Sequence, residues 1–202
     1  MLLAIDTSAG TSVAIVDRDA GVIAEHSSDD TRGHAEVIGI FIQRALADSG
    51  VEVAALSGVA IGMGPGPFTG LRVGIAAARA FAFGAGKPVV SVVSHDAIAF
   101  GVDGPLLVVT DARRREFYWS AYSGADAAGL PVRVQGPGLS KPEDLPQLHG
   151  YRRLDAATVS AGRLGMLAET MFANGRAFAG DDALYLRSPD VTLSSGPKRV
   201  TG

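Results

Sequence analysis

The chain has no cysteine among its 202 residues. Disulfides, thiolate zinc sites and a cysteine nucleophile are excluded at once. Histidine is scarce too. His26, His34, His95 and His149 are scattered, no two stand four apart as a helical metal pair requires, and the position four after His34 is Ile38. No uninterrupted apolar run approaches the ~18 residues of a membrane span. The start, MLLAIDTSAG, lacks the basic region and apolar core of a secretory signal. A cytoplasmic protein without membrane contact is expected. The net charge of −3 gives no global pull toward nucleic acid. Ser94-His95-Asp96 has the residue types of a catalytic triad, but triads assemble in space and no Gly-x-Ser-x-Gly elbow exists, so Ser94 is read as a helix cap. The acid pairs Asp29-Asp30, Glu143-Asp144 and Asp181-Asp182 lie in turn-like polar stretches. So thin an acid–base inventory weighs against an enzyme.

What is present is organised around residues 57–86, SGVAIGMGPGPFTGLRVGIAAARAFAFGAG. The apolar run Val59 to Met63 predicts a buried strand. Gly64-Pro65-Gly66-Pro67 predicts a tight loop pinned by its prolines. A helix follows over 70–85, with Thr69 as its N-cap. Gly70, Gly74, Ala78 and Ala82 fall on one face of it, beside Leu71, Ile75 and Phe83. Helix-interior glycines cost roughly 1 kcal/mol each relative to alanine, so close packing must offset them. That packing is either against the chain's own sheet or against another subunit. The loop matches neither phosphate-binding fingerprint: Thr69 stands where a dinucleotide motif needs its third glycine, and Leu71-Arg72 where a P-loop needs Lys-Ser or Lys-Thr.

A second helix is predicted over 34–49, with Gly50 as C-cap. Its apolar residues Val37, Ile38, Ile40, Phe41, Ile42, Ala45 and Leu46 exceed the stripe of a helix packed on one side. Both helices look prepared for more contact than one chain supplies. The candidate interface is His34, Ile38, Phe41 and Ile42 from the first helix, and Gly70, Leu71, Gly74 and Ala78 from the second.

The start of the chain reads as three strands, over 2–6, 12–16 and 22–26. Near residue 103 the pattern restarts. LLAIDTSAGTSVAIVDRDAGVIAEHSS and PLLVVTDARRREFYWSAYSGADAAGLPVRVQG share a Leu-Leu run into an acid-plus-threonine pair, Asp6-Thr7 and Thr110-Asp111, then two further strands. This points to an internal duplication and a two-lobed α/β architecture. The expected division is an N-terminal lobe over 1–102 carrying the partner-binding helices, a smaller lobe over 103–190, and a flexible tail over 191–202. Another helix is expected over 159–173, and a short strand or extended segment at Tyr185-Leu186-Arg187. Arg113-Arg114-Arg115, beside Phe117, Tyr118 and Trp119, reads as a solvated hairpin turn in preference to a nucleic-acid contact.

GMGPGPFTGLRVG at 62–74 resembles the GPGSFTGLRxG signature of the TsaB (YeaZ) family. Asp6-Thr7-Ser8, Arg32-Gly33-His34-Ala35-Glu36, Asp111-Ala112-Arg113 with Glu116 and Tyr118, and Tyr185-Leu186-Arg187 extend the match in the same order along nearly the whole chain. Pro67 departs from the usual serine. The resemblance implies the actin-like ATPase fold of sugar kinases and Hsp70, with two RNase H-like lobes. It implies a non-catalytic partner, without cofactor or metal, in threonylcarbamoyladenosine synthesis on tRNA. Its expected partners are the paralogue TsaD and the ATPase TsaE, or a second copy of itself through a bundle of the first two helices, with tRNA met only through the complex. TsaD carries a His-x-x-x-His metal pair that His34 and Ile38 break here. The peptidase label attached to some relatives finds no support in these residues. The alternative is a free-standing nucleotide hydrolase or small-molecule kinase using Asp6 and the 64–70 loop.

Overall fold

A computed structural model describes residues 1–187, so the expected tail lies outside the described residues. In chain order the elements are β1 (Leu2–Asp6), β2 (Thr11–Asp17), β3 (Gly21–Ser28), α1 (His34–Ser49), β4 (Gly58–Gly62), α2 (Phe68–Ala85), β5 (Val89–Val92), α3 (Ser94–Ala99), β6 (Leu106–Asp111), β7 (Phe117–Ala125), β8 (Pro131–Ser140), β9 (Arg152–Asp155) and α4 (Ala161–Ala173). They build two sheets, ordered β3-β2-β1-β4-β5 and β8-β7-β6-β9.

In the first sheet β1, β2 and β3 form an antiparallel meander, and β4 and β5 continue parallel to β1. The second sheet repeats this plan: β6, β7 and β8 are antiparallel and β9 pairs parallel to β6. The Leu-Leu repeat in the sequence therefore marks equivalent central strands, β1 and β6. Charged Arg152-Arg153-Leu154-Asp155 gives no apolar signal for β9, which survives as an edge strand with only its inner side paired.

Helices α1 and α2 cover one face of the first sheet, where Leu3, Ile5, Val13 and Ile15 meet Ile38, Ala45, Leu71 and Ala78. The opposite face carries small residues, Ala4, Ala14 and Ala60, and receives α4 through Leu164, Leu167 and Ala168. Leu106, Val108 and Tyr122 of the second sheet join the same cluster, together with α3. Helices α3 and α4 are thus the layer between the sheets. Among the described residues no helix is long and apolar enough to cross a membrane.

Glycine ends α1 and α2: Gly50 and Gly86 take the left-handed conformation, at φ of 64° and 63°. Two expected caps are corrected. Pro67 stands at the N-cap of α2, so Thr69 lies inside the first turn and caps nothing. Ser94 is the first residue of α3, behind Val93, and its hydroxyl is used elsewhere.

The N-terminus of α4 is tied to the first sheet by Glu25 of β3. Its carboxylate accepts from Ser12 Oγ at 2.9 Å, Ser160 Oγ at 3.1 Å and the Gly162 N–H at 3.2 Å. Hydrogen bonds to a charged group contribute about 1.5–3 kcal/mol each when buried, and exposure of Glu25 reduces that. Glu25→Ala is expected to lower stability by about 1–2 kcal/mol in urea unfolding. An unchanged midpoint would show that α4 is held by its apolar face alone.

Candidate functional site

A cleft of about 680 Å³ opens between the lobes. Its walls come from the loop before α1, the start of α2, the β6–β7 turn and the segment after α4, through Arg32, Phe68, Arg113, Tyr118, Tyr185 and Arg187 among others. The loop between β4 and α2, with a cis Gly64–Pro65 peptide, forms its floor on the first-lobe side.

Asp6 ends β1 beneath this floor and does not line the cleft. It is 1% exposed. Oδ1 accepts from the Ser8 N–H at 2.8 Å and the Ser8 hydroxyl at 2.6 Å, and Oδ2 accepts from the Ser94 hydroxyl at 2.5 Å. Ser94 Oγ in turn accepts from the Gly64 N–H at 3.0 Å. Burial raises the Asp6 pKa against the opposing pull of these donors. A Cβ on Gly66 would stand 2.8 Å from Ser8 Cα, so the loop lies directly on the Asp6-Thr7-Ser8 turn and shuts it from the cleft. Asp6, Ser8 and Ser94 form an internal lock joining β1, the loop and α3. Ser94 and His95 do not meet as a triad: His95 Nδ1 and Nε2 lie 2.9 Å and 3.0 Å from the Ser120 and Thr110 hydroxyls.

The small residues of α2 face the same turn. Thr7 Oγ1 donates to the Gly70 carbonyl at 2.7 Å. A Cβ on Gly70 would stand 2.7 Å from the Thr7 carbonyl oxygen, and one on Gly74 would overlap Thr7 Oγ1. His34 packs beside Gly70, with Nδ1 2.8 Å from Thr11 Oγ1. Burial, then the Arg113 charge, holds the His34 pKa below its ordinary value, so the imidazole is neutral at pH 7. Among the described residues, no three His, Asp or Glu side chains come together as a metal site.

Of the eight candidate interface residues, His34, Ile38, Gly70, Leu71, Gly74 and Ala78 are buried inside the chain. They bind the two helices to the first sheet and to the Asp6-Thr7-Ser8 turn. Phe41 and Ile42 are half-buried. The helices nevertheless keep an apolar outward face, with residues that the sequence counted among their apolar positions. Ile40 is 47% exposed and Phe83 91% exposed. Gly39, Ala76, Ala80 and Gly84 stand exposed on the same two helices. A Cβ on Gly39 or Gly84 would meet nothing within 4 Å. Among the described residues, nothing requires glycine at either position.

The triple arginine is a hairpin turn, as its sequence suggests, but one set on the cleft. Arg113, Arg114 and Arg115 take φ of 62°, 54° and 61°. The Arg113 guanidinium crosses to the other lobe and donates to the Thr31 carbonyl and hydroxyl at 2.9 Å. Tyr185-Leu186-Arg187 joins no sheet, so the expected short strand is not formed, and Arg187 stands at a bend. Arg187 pairs with Glu116, and Tyr185 packs on Phe68 at 4.9 Å between ring centroids. Arg32 opens the Arg32-Gly33-His34-Ala35-Glu36 match, whereas Thr31 carries no signal, and only the fold places the two opposite the arginine turn.

A model of the tRNA N6-adenosine threonylcarbamoyltransferase family, TsaD, matches residues 8–162. An uncharacterised protein of Mycobacterium tuberculosis is 43% identical over 146 residues, covering 71% of this chain and 66% of that one. The tRNA threonylcarbamoyladenosine biosynthesis protein TsaB of Escherichia coli is 33% identical over 147 residues, 70% of this chain and 63% of that one. This chain therefore spans about two thirds of the length of these relatives. A solved structure from Pseudomonas aeruginosa, described as similar to the peptidase YeaZ, superposes with a TM-score of 0.77 at 25% identity, over 92% of this chain and 99% of that one. A second, YeaZ from the same organism, gives 0.73 at 25% identity, over 86% and 92%.

Proposed function

Because the chain belongs to the TsaB (YeaZ) family, within the wider TsaD family and with the actin-like ATPase fold, we propose that it acts in threonylcarbamoyladenosine modification of tRNA as a non-catalytic subunit that docks on the TsaD transferase through α1 and α2. One observation carries the docking. The outward face of these helices exposes Ile40 and Phe83 around glycines and alanines that the chain's own packing does not explain. A glycine in the middle of α1 costs roughly 1 kcal/mol relative to alanine. Close approach of a partner helix is the physical reason to keep it.

The state of Asp6 supports the non-catalytic half. A nucleotide hydrolase or kinase of this fold would need that carboxylate to face the ligand, whereas both its oxygens are engaged and the loop covers it. A second copy of the chain could use the same outward face as TsaD, and a TsaE ATPase would join the assembled pair.

Gly39→Leu tests the docking. Its side chain meets open space, so the isolated variant is expected to be as stable as the parent or up to about 1 kcal/mol more so. Its affinity for TsaD is expected to fall by about 2 kcal/mol, some thirtyfold in Kd, in calorimetric titration. Unchanged affinity would remove α1 from the interface.

A further inference from the structure

Among the described residues, four arginines line the cleft, Arg32, Arg113, Arg114 and Arg187, and no carboxylate does, although acids outnumber bases in the chain, 21 to 18. They arrive from three separate segments: the loop before α1, the β6–β7 turn and the segment after α4. The neighbouring acids each hold a local partner. Glu116 pairs with Arg187, Asp111 Oδ1 accepts from the Arg113 N–H at 2.9 Å, and Asp30 Oδ1 accepts from the Arg32 N–H at 2.9 Å. The turn itself is built against its own preference. Three consecutive residues bearing Cβ atoms hold the left-handed conformation. The Ala112 N–H to Glu116 carbonyl bond and the Arg113 bridge to Thr31 keep them there. A left-handed turn of three arginines is not what a connecting hairpin needs, and strain of this kind collects where a surface has work to do.

Aromatic surface stands among the cations. Tyr118 and Tyr185 line the cleft, and Tyr185 is 38% exposed at its mouth, packed on Phe68. The Arg72 guanidinium lies over Phe68 at 3.7 Å and carries the basic band out along α2. The first turn of α2 opens on the same space without an acidic residue or a side-chain cap.

Guanidinium groups from three segments around one cleft, with an aromatic face beside them, match the repeating phosphate and base of an unpaired strand better than one compact anion. We propose that the interlobe cleft binds a short stretch of single-stranded RNA, with phosphates against Arg32, Arg113 and Arg114 and a base on Tyr185. This deepens the docking reading and rests on it for the RNA: the substrate tRNA would touch this subunit directly, instead of meeting it only through the complex.

The test is fluorescence anisotropy of the whole chain with a labelled unstructured RNA decamer, at low salt. Saturable binding is expected in the range of about 0.1 mM or tighter. Arg32→Ala with Arg114→Ala should weaken it at least tenfold and lower the salt slope by about 0.7 for each phosphate left without its arginine. Tyr185→Ala should weaken it about tenfold. Arg18→Ala with Arg44→Ala, away from the cleft, should change neither. No saturable binding, equal weakening in the control pair, or displacement by ATP at concentrations far below those needed by the RNA would overturn the proposal, the last in favour of a free nucleotide. Affinity for TsaD, measured on the same arginine variants, should stay at the parent value. A cleft that fails while docking persists sinks the RNA contact alone, and weaker docking by Gly39→Leu is read separately.

Discussion

Gly74→Leu will cost the isolated chain about 4 kcal/mol or prevent folding, whether or not a partner is present. Overpacking a tight core costs about 1–3 kcal/mol and more where the neighbours cannot move. Here they cannot. Even a Cβ would overlap Thr7 Oγ1, which is committed to the Gly70 carbonyl, and Thr7 sits beside the buried Asp6 lock. On sequence alone this substitution looks like a clean test of a subunit interface, because the small residues share one helix face. The structure turns that face inward. Circular dichroism and urea unfolding of Gly74→Leu beside Gly39→Leu decide the point. The first should unfold early or not fold, the second should match the parent. Two equally stable variants would mean that α2 does not rest on the Asp6-Thr7-Ser8 turn.

Acid will draw about 3 kcal/mol of stability from His95 between pH 7 and pH 4. The ring is buried in α3, between the hydroxyls of Ser120 and Thr110. Burial, reinforced by the Arg133 charge, holds its pKa at about 3. In the unfolded chain the same histidine titrates near 6.5. The unfolded state therefore takes the proton first. The contribution is complete above about pH 6.5 and is lost as pH falls toward 3, at about 1.4 kcal/mol per unit. Asp6 and Asp96 act with the opposite sign. Burial raises both pKa values, so their folded forms hold a proton more readily and mild acid relieves them. His34, also lowered, adds to the loss. His95→Gln separates these effects, since the other groups are common to both chains. It should be less stable than the parent at pH 7 and lose less on acidification, with the gap closing by about 3 kcal/mol at pH 4. Parallel decline of the two chains would contradict a neutral buried His95.

Much of the fold could be read from residue order. The extent of α1 and its Gly50 cap follow from apolar spacing and one glycine. The doubling of the sheet plan follows from two Leu-Leu runs that prove to be equivalent inner strands of the two sheets, β1 and β6. Local spacing cannot say which way a helix face points. Gly70 and Gly74 carry the same small-residue signal as Gly39 and Gly84, yet the first pair touches Thr7 and the second touches nothing. Ser94 shows the same limit: a serine before a helix is a cap by sequence, but Asp6, far away along the chain, claims its hydroxyl. The cleft was the least legible part. Arg32, Arg113 and Arg187 converge only when both lobes are in place, and β9, which completes the second sheet, is too charged to announce itself.

The central claim is that this chain promotes the modification of tRNA by docking, without chemistry of its own. Threonylcarbamoyladenosine formed on tRNA should be measured with TsaD and TsaE in the presence of the chain, of Gly39→Leu, or of neither, and with the chain alone. Product should require the parent chain together with TsaD, be absent with the chain alone, and fall to the level without it when Gly39→Leu is supplied. Turnover by the chain alone, or full stimulation by Gly39→Leu, would contradict the claim.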